Sequence, residues 1–213
     1  VGFRYLPRQN VTVAGLFGSA GQAANQLLAL LTERRTISKV KVFSREQKNR
    51  RDFSEKYSKK FNVEIIPVDH PKEVIKGSDV IHCATNTSVP LFNGEWLEPG
   101  QHITGIVGSN VQLVKSGYRS SRRREIDDKT AERADVIVCN LRETIKVEEP
   151  GDLFEPLESG LINFEDIYKL TNTISKQVDD IGKLVDEFSS FARMPEPEIK
   201  LDNLSQTLKE SFD

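Results

Sequence analysis

Short apolar runs alternate with polar stretches of helical length through residues 1–170. Val11-Thr-Val-Ala-Gly-Leu-Phe17 has the character of a strand buried on both faces. Ala24, Leu27, Leu28, Leu30 and Leu31 follow it at helical spacing. Further apolar runs predict strands at 40–43, 63–68, 79–84, 102–107 and 135–139, with helices over 46–60 and 71–76 between them. Strands and helices alternating at this spacing predict an α/β fold, a Rossmann-type doubly wound and mostly parallel sheet. Right-handed crossovers then bring the strand C-terminal ends to one edge, where ligands bind.

The pattern changes near Lys169–Thr171. Residues 171–213 contain no β-branched run. Ile174, Val178, Ile181, Val185, Phe188 and Ala192 recur in steps of four and three, and Leu184 and Phe191 widen the stripe. This predicts an amphipathic helix of about 22 residues, ended by Met194-Pro-Glu-Pro197. Asp202 then suits the cap of a second helix carrying Leu204, Leu208 and Phe212. Charge shifts at the same place: 171–213 has five basic and nine acidic side chains, against 25 and 23 before it. Two parts are therefore expected, 1–170 and a helical appendage over 171–213.

Composition narrows the class. Of the 213 residues, 37% are hydrophobic and 29% charged, too apolar for a disordered chain. No apolar run is long enough to span a membrane, and the formal charge of -2 argues against nucleic acid as a partner. Cys83 and Cys139 sit in apolar runs without metal-ligand spacing, so free thiols in a cytoplasmic protein, and no metal, are expected.

The candidate chemistry begins after the first strand, at Gly18-Ser-Ala-Gly-Gln-Ala23. A dinucleotide pyrophosphate needs free backbone N–H groups at a helix N-terminus and no side chain in the way. Gly18 suits the tight turn, Gly21 and Ser19 keep the loop small, and Ser19 offers a donor to a phosphate. Ala20 stands where the G-x-G-x-x-G/A pattern has its middle glycine, and Gln22 and Ala23 open the helix, Ala23 permitting close helix–strand packing. The second strand ends in Ser44 and Arg45 instead of the carboxylate that bonds a ribose 2′-OH, so NADP(H) is preferred over NAD(H). Lys48, Arg50 and Arg51 behind it read as a solvated helix face. Ala84, Thr85 and Asn86 end the fourth strand, and Gly108 and Ser109 end the fifth, placing both sets where ribose and nicotinamide would lie. The basic stretch Arg119-Ser-Ser-Arg-Arg-Arg-Glu125 reads as a solvated loop, His82 as a satisfied core histidine, Asp127-Asp128 as a helix start, and Gly151-Asp152 as a turn. Trp96 is expected to pack over the sheet's edge.

Taken in order, several stretches resemble the ornithine cyclodeaminase/mu-crystallin family. They are Gly18-Ser-Ala-Gly-Gln-Ala23, Phe43-Ser-Arg45, Gly77-Ser-Asp-Val-Ile81, Ala84-Thr85, Pro90 and Gly94-Glu-Trp-Leu-Glu-Pro-Gly100. Gly108-Ser109, Arg124-Glu-Ile-Asp127, Ala134-Asp-Val-Ile-Val138 and Gly151-Asp-Leu153 continue the match, which covers about residues 5–170. The resemblance implies an NAD(P)-dependent oxidoreductase that moves a hydride to or from an amino acid or cyclic imine, in a homodimer. The family's catalytic Asp just after the fifth strand is missing here, since Gly108-Ser109 continues with Asn110. By the resemblance, the family's N-terminal substrate segment, with the catalytic Lys and carboxylate-binding Arg, is expected to have no counterpart in these residues. The resemblance therefore implies a cofactor domain weakly active or inactive alone, with no catalytic residue assigned.

The tail has a different likeness. Thr173-Ile-Ser-Lys-Gln-Val-Asp-Asp-Ile-Gly182 and Val185-Asp-Glu-Phe-Ser-Ser-Phe-Ala-Arg-Met-Pro195 resemble part of the dimerisation and phosphotransfer hairpin of a nitrogen-regulation sensor histidine kinase. No His occurs in this tail, so no kinase activity is expected. Its apolar seam suits self-association, which makes a homodimer through this helix, or a pairing module with no cofactor, the alternative function.

Overall fold

The computed structural model describes residues 2–140 and 142–169. The expectations for 171–213 lie outside the described residues. After a short helix α1 (Gly2–Tyr5), the chain forms β1 (Val13–Phe17), α2 (Gly21–Glu33), β2 (Lys39–Phe43), α3 (Gln47–Phe61), β3 (Glu64–Pro67), α4 (Pro71–Ile75), β4 (Val80–Cys83) and β5 (His102–Gly105). All four pairings in this sheet are parallel, in the order β3-β2-β1-β4-β5. The doubly wound expectation holds. The strand order reverses between β1 and β4, and a crevice opens at such a reversal outside the strand C-terminal ends.

Burial follows the pleat. Ala14 and Leu16 face one side of the sheet, with Val40, Val42, Ile65 and Val80, beneath Ala23, Ala24, Leu27 and Leu30 of α2 and Phe53 of α3. Phe17 faces the other side with Ile81 and Cys83, against Val74 and Ile75 of α4 and Phe92. Trp96, in the 3₁₀ turn Gly94–Trp96, packs against this second cluster. Gly15 makes the α4 contact possible. A methyl there would meet the Val74 carbonyl oxygen and side chain at 2.7 Å.

Asp79 ties the strand starts together. Its carboxylate accepts from the Thr12 and Val13 N–H groups at 2.7 and 2.9 Å and pairs with Arg8. Its own N–H donates to Val13 O, and its carbonyl accepts from His102 N–H, so one residue links β1, β4 and β5. Burial opposes its ionisation, but the Thr12 and Val13 donors and Arg8 outweigh burial and hold the carboxyl below the usual range.

Beyond β5 come α5 (Val111–Lys115), α6 (Asp128–Glu132), β6 (Ile137–Cys139), α7 (Arg142–Glu148), α8 (Gly151–Glu158) and β7 (Ile167–Lys169). The sixth predicted strand therefore forms, but not as part of the main sheet. It pairs in parallel with β7, Ile137 opposite Ile167, in a separate two-stranded sheet. Apolar alternation marked β6 as a strand but carried no information about its partner, and β7 is too short to stand out. Asp127 begins α6 as expected, its side chain accepting from Thr130 N–H at 2.9 Å.

Replacing Asp79 with Ala should lower the unfolding free energy by about 2 kcal/mol at neutral pH, since it removes charge-assisted hydrogen bonds. Urea denaturation checks this. The contribution is present above the ordinary Asp pKa and is lost as pH falls through the lowered one, so wild type and variant should converge in acid.

Candidate functional site

The crevice is built around the turn after β1. Gly18 has φ +113°, a conformation that L side chains rarely adopt. A methyl on it would also collide with the Ala84 carbonyl oxygen and lie 3.1 Å from the carbonyl carbon. Its N–H donates to Phe43 O at 2.9 Å, while Ala84 N–H donates to Phe17 O at 2.9 Å. The ends of β1, β2 and β4 are thus joined at this turn. Ala20 occupies the N-cap of α2 with an extended backbone, and no side chain caps the helix. The N–H groups of Gly21, Gln22 and Ala23 are in the first turn, where they have no intrahelical partner. Ala20, Gly21 and Gln22 are exposed, and nothing lies within 4 Å of a methyl built on Gly21. Steric need therefore accounts for Gly18 but not for Gly21. Ala23 is fully buried, as close helix–strand packing requires.

At the end of β2 the structure changes the sequence reading. Ser19 donates its hydroxyl to Ser44 at 3.0 Å, and Ser44 donates onward to Glu46 O at 3.3 Å. The Ser19 proton expected to serve a phosphate is thus committed to the neighbouring turn. Arg50, read from sequence as part of a solvated face, is buried. It donates to Ser44 O at 2.9 Å and Arg45 O at 3.4 Å, pairs with Asp69, and lies over the Phe43 ring. Arg45 is exposed and makes no ion pair among the described residues.

The ends of β4 and β5 hold two residues that the sequence reading left without a role. Glu125 is fully buried. Its Oε1 accepts from both the N–H and the hydroxyl of Thr85 at 2.6 Å, and its Oε2 accepts from Ile106 N–H at 3.3 Å. Asp152, expected in a turn, lies near the start of α8 and is buried. Its Oδ1 accepts from Glu125 N–H at 2.6 Å and Ile126 N–H at 3.0 Å. Glu125 Oε2 and Asp152 Oδ2 also converge on Gly105, each 3.5 Å from where a methyl would sit. Burial raises the Glu125 carboxyl, with the Thr85 and Ile106 donors opposing it. Burial lifts Asp152 to about 6 against the Ile126 and Glu125 N–H groups, and the Glu125 charge adds to the rise. The buried Cys83 thiol is raised too, by burial first and then by both acids.

Of the other predicted site residues, Asn86 and Gly108 are exposed, and Ser109 turns its hydroxyl to Glu148 O. Beside Gly108 stands Arg123, with Nη1 3.6 Å from where a Gly108 methyl would be. Arg122 pairs with Glu149 and Arg124 pairs with Asp128 and Glu155, so this stretch is not simply a solvated loop. Arg123 makes no ion pair among the described residues. Its backbone is held by Asn110 Oδ1 and by Gly151 N–H. His82 lies in the core against Phe3, where burial holds it neutral with a pKa of about 4. It is not satisfied there as expected, since neither ring nitrogen has a partner. No group of three or more metal-ligating side chains occurs among the described residues.

A profile of the ornithine cyclodeaminase/mu-crystallin family matches residues 1–163. The chain belongs to that family. An uncharacterised cyclodeaminase of Sinorhizobium fredii is 29% identical over 163 residues, which are 76% of this chain and 45% of that protein. The structure of Thermococcus litoralis Δ1-pyrroline-2-carboxylate reductase with NADH and L-proline aligns with a TM-score of 0.67 and 31% identity, over 78% of this chain and 47% of that one. An archaeal alanine dehydrogenase dimer with bound NAD aligns with a TM-score of 0.61 and 25% identity, over 78% and 47%. The chain therefore spans about half the length of these family members.

Glu125 and Asp152 fall in two stretches that carried the family resemblance, yet local pattern assigned neither side chain a role. The available signal at Asp152 was an acid placed directly between glycine and leucine, in Gly151-Asp152-Leu153; Glu125, flanked by Arg124 and Ile126 in a charged stretch, offered no such signal. Asp152→Asn keeps an acceptor for the two N–H groups and removes a buried charge. Because its folded pKa is raised, the stability tied to protonated Asp152 is present below about 3.8 and lost as pH rises through about 6. Wild type should therefore lose about 3 kcal/mol more than the variant between acid and neutral pH. Urea denaturation across that range reads the difference.

Proposed function

We propose that residues 1–170 bind a reduced or oxidised nicotinamide dinucleotide across the C-terminal ends of β1, β4 and β5, as the cofactor domain of an oxidoreductase. The observation that carries it is the uncapped N-terminus of α2 standing directly behind the Gly18 turn at the strand-order reversal. First-turn N–H groups with a clear approach fit a pyrophosphate, which the helix dipole also favours. The NADH and NAD held by the two aligned structures support the same class of ligand. The bound nicotinamide supplies hydride exchange with the substrate, and the protein's part is to bind, orient and exclude water.

The finer assignment is a preference for NADP(H). The β2 turn ends in Ser44 and Arg45, with Arg45 exposed and free to pair with a 2′-phosphate while Arg50 fixes the carbonyls beneath it. The substrate class is an amino acid or cyclic imine, in keeping with the proline in the Thermococcus litoralis structure. Because the chain spans about half of its relatives, ligand binding is the measurement that bears on this reading directly.

Titration followed by nicotinamide fluorescence should show saturable binding of both NADPH and NADH, with NADPH about tenfold tighter. Arg45→Ala should abolish that preference and leave NADH within about twofold of wild type. Equal losses of both would overturn the 2′-phosphate assignment, and no saturation by either at millimolar concentration would overturn the cofactor reading itself.

A further inference from the structure

Glu125 joins both walls of the crevice on the side away from β2. Its Oε1 holds the turn after β4 through two donors of Thr85, and its Oε2 holds the turn after β5 through Ile106 N–H. The same segment grips the β4 loop again, with Leu91 N–H donating to Glu125 O and Arg124 N–H donating to Thr87 O. In a sheet of this order the adenosine half of a dinucleotide lies toward β2 and β3, and the nicotinamide half lies toward β4 and β5.

A buried carboxylate is a demanding way to fasten two loops, since desolvation disfavours it and no basic side chain among the described residues hydrogen-bonds to it. The donors explain the choice. Three of them, two N–H groups and one hydroxyl, point at one side chain from two separate turns. An ionised carboxylate accepts at both oxygens, whereas an amide would set its NH2 against either Ile106 N–H or the Thr85 donors. Asp152 fixes the carrier of this carboxylate by holding the N–H groups of Glu125 and Ile126. Thr85, its hydroxyl proton committed to Glu125, then shapes the pocket without offering that donor to a ligand.

We infer that Glu125 is a positioning residue for the nicotinamide half of the cofactor, acting through Thr85 and Ile106 while Asp152 sets its orientation. This rests on the cofactor reading above. Protonating Glu125 would place a donor against Ile106 N–H or Thr85 and loosen both turns, leaving the α2 N-terminus untouched. The groups facing the carboxyl are Asp152 of α8, the Cys83 thiol of β4, Thr85 and Ile106, with the Arg124 guanidinium nearby but paired to Asp128 and Glu155.

The test compares NADH with ADP-ribose, which lacks the nicotinamide, on the full chain. Glu125→Gln should weaken NADH about tenfold and leave ADP-ribose within about twofold. In wild type, the preference for NADH over ADP-ribose should shrink as pH falls from neutral, because Glu125 has a raised pKa, and it should shrink more than in the variant. Equal loss of both ligands, or of neither, would overturn the inference. Should Glu125→Gln not fold, the wild-type pH series and Thr85→Val remain. A flat wild-type preference together with unchanged NADH binding by Thr85→Val would be equally fatal. Wild type that binds neither ligand would remove the cofactor reading and this inference together, whereas wild type that binds both with no pH-dependent preference would remove only this one.

Discussion

The crevice depends on the backbone of Gly18 lying directly against the carbonyl of Ala84. No side chain fits between them, and the positive φ at Gly18 suits only a residue without one. Because this contact is bare, β1 and β4 end side by side. Gly18 N–H can then reach Phe43 O, and the chain turns into α2 without covering its first N–H groups. A larger residue here would push the end of β4 outward and carry Thr85, with its bonds to Glu125, along with it. The Thr85 side of the crevice therefore depends on the bare Gly18 contact.

The two ends of the sheet treat buried acids in opposite ways. At the start of the strands, Asp79 meets two backbone N–H groups and Arg8, and its ionised form is favoured. At the finish, Asp152 also meets two backbone N–H groups, but burial outweighs them and the Glu125 charge adds to it, so its proton is retained to about 6. Asp79 also has the Thr12 hydroxyl and a basic partner, whereas Asp152 has neither, so burial prevails only at Asp152. The first arrangement stabilises the fold. The second holds a costly geometry in place at the edge where ligands bind, which is where such strain is expected.

Much of the sheet was legible because central parallel strands are continuous apolar runs. β1, β2 and β4 appear within a residue or two of their expected limits, and α2 shows its buried face at Ala24, Leu27 and Leu30. What stayed hidden was partnership. Nothing in Ile137–Cys139 says that it pairs with β7 and not with β5. Nothing in Lys48–Arg51 separates buried Arg50 from its exposed neighbours, since the deciding partners, Ser44 O and Asp69, arrive from other turns. The Gly18 turn was visible as a phosphate-type loop, but Glu125 was not visible as the anchor of Thr85, because 40 residues separate them. Local pattern encodes burial and period; it does not encode which distant acceptor a donor finds.

Arg50 also separates two tasks that could have fallen on one residue. It supports the backbone of Ser44 and Arg45 from beneath, through their carbonyls, and so makes no demand on the side chain that Arg45 displays. The β2 turn behaves as a mount with an interchangeable head. Under the proposed cofactor reading, swapping that head for an acid or a small neutral residue would retune which adenosine ribose is accepted while the scaffold underneath keeps its shape.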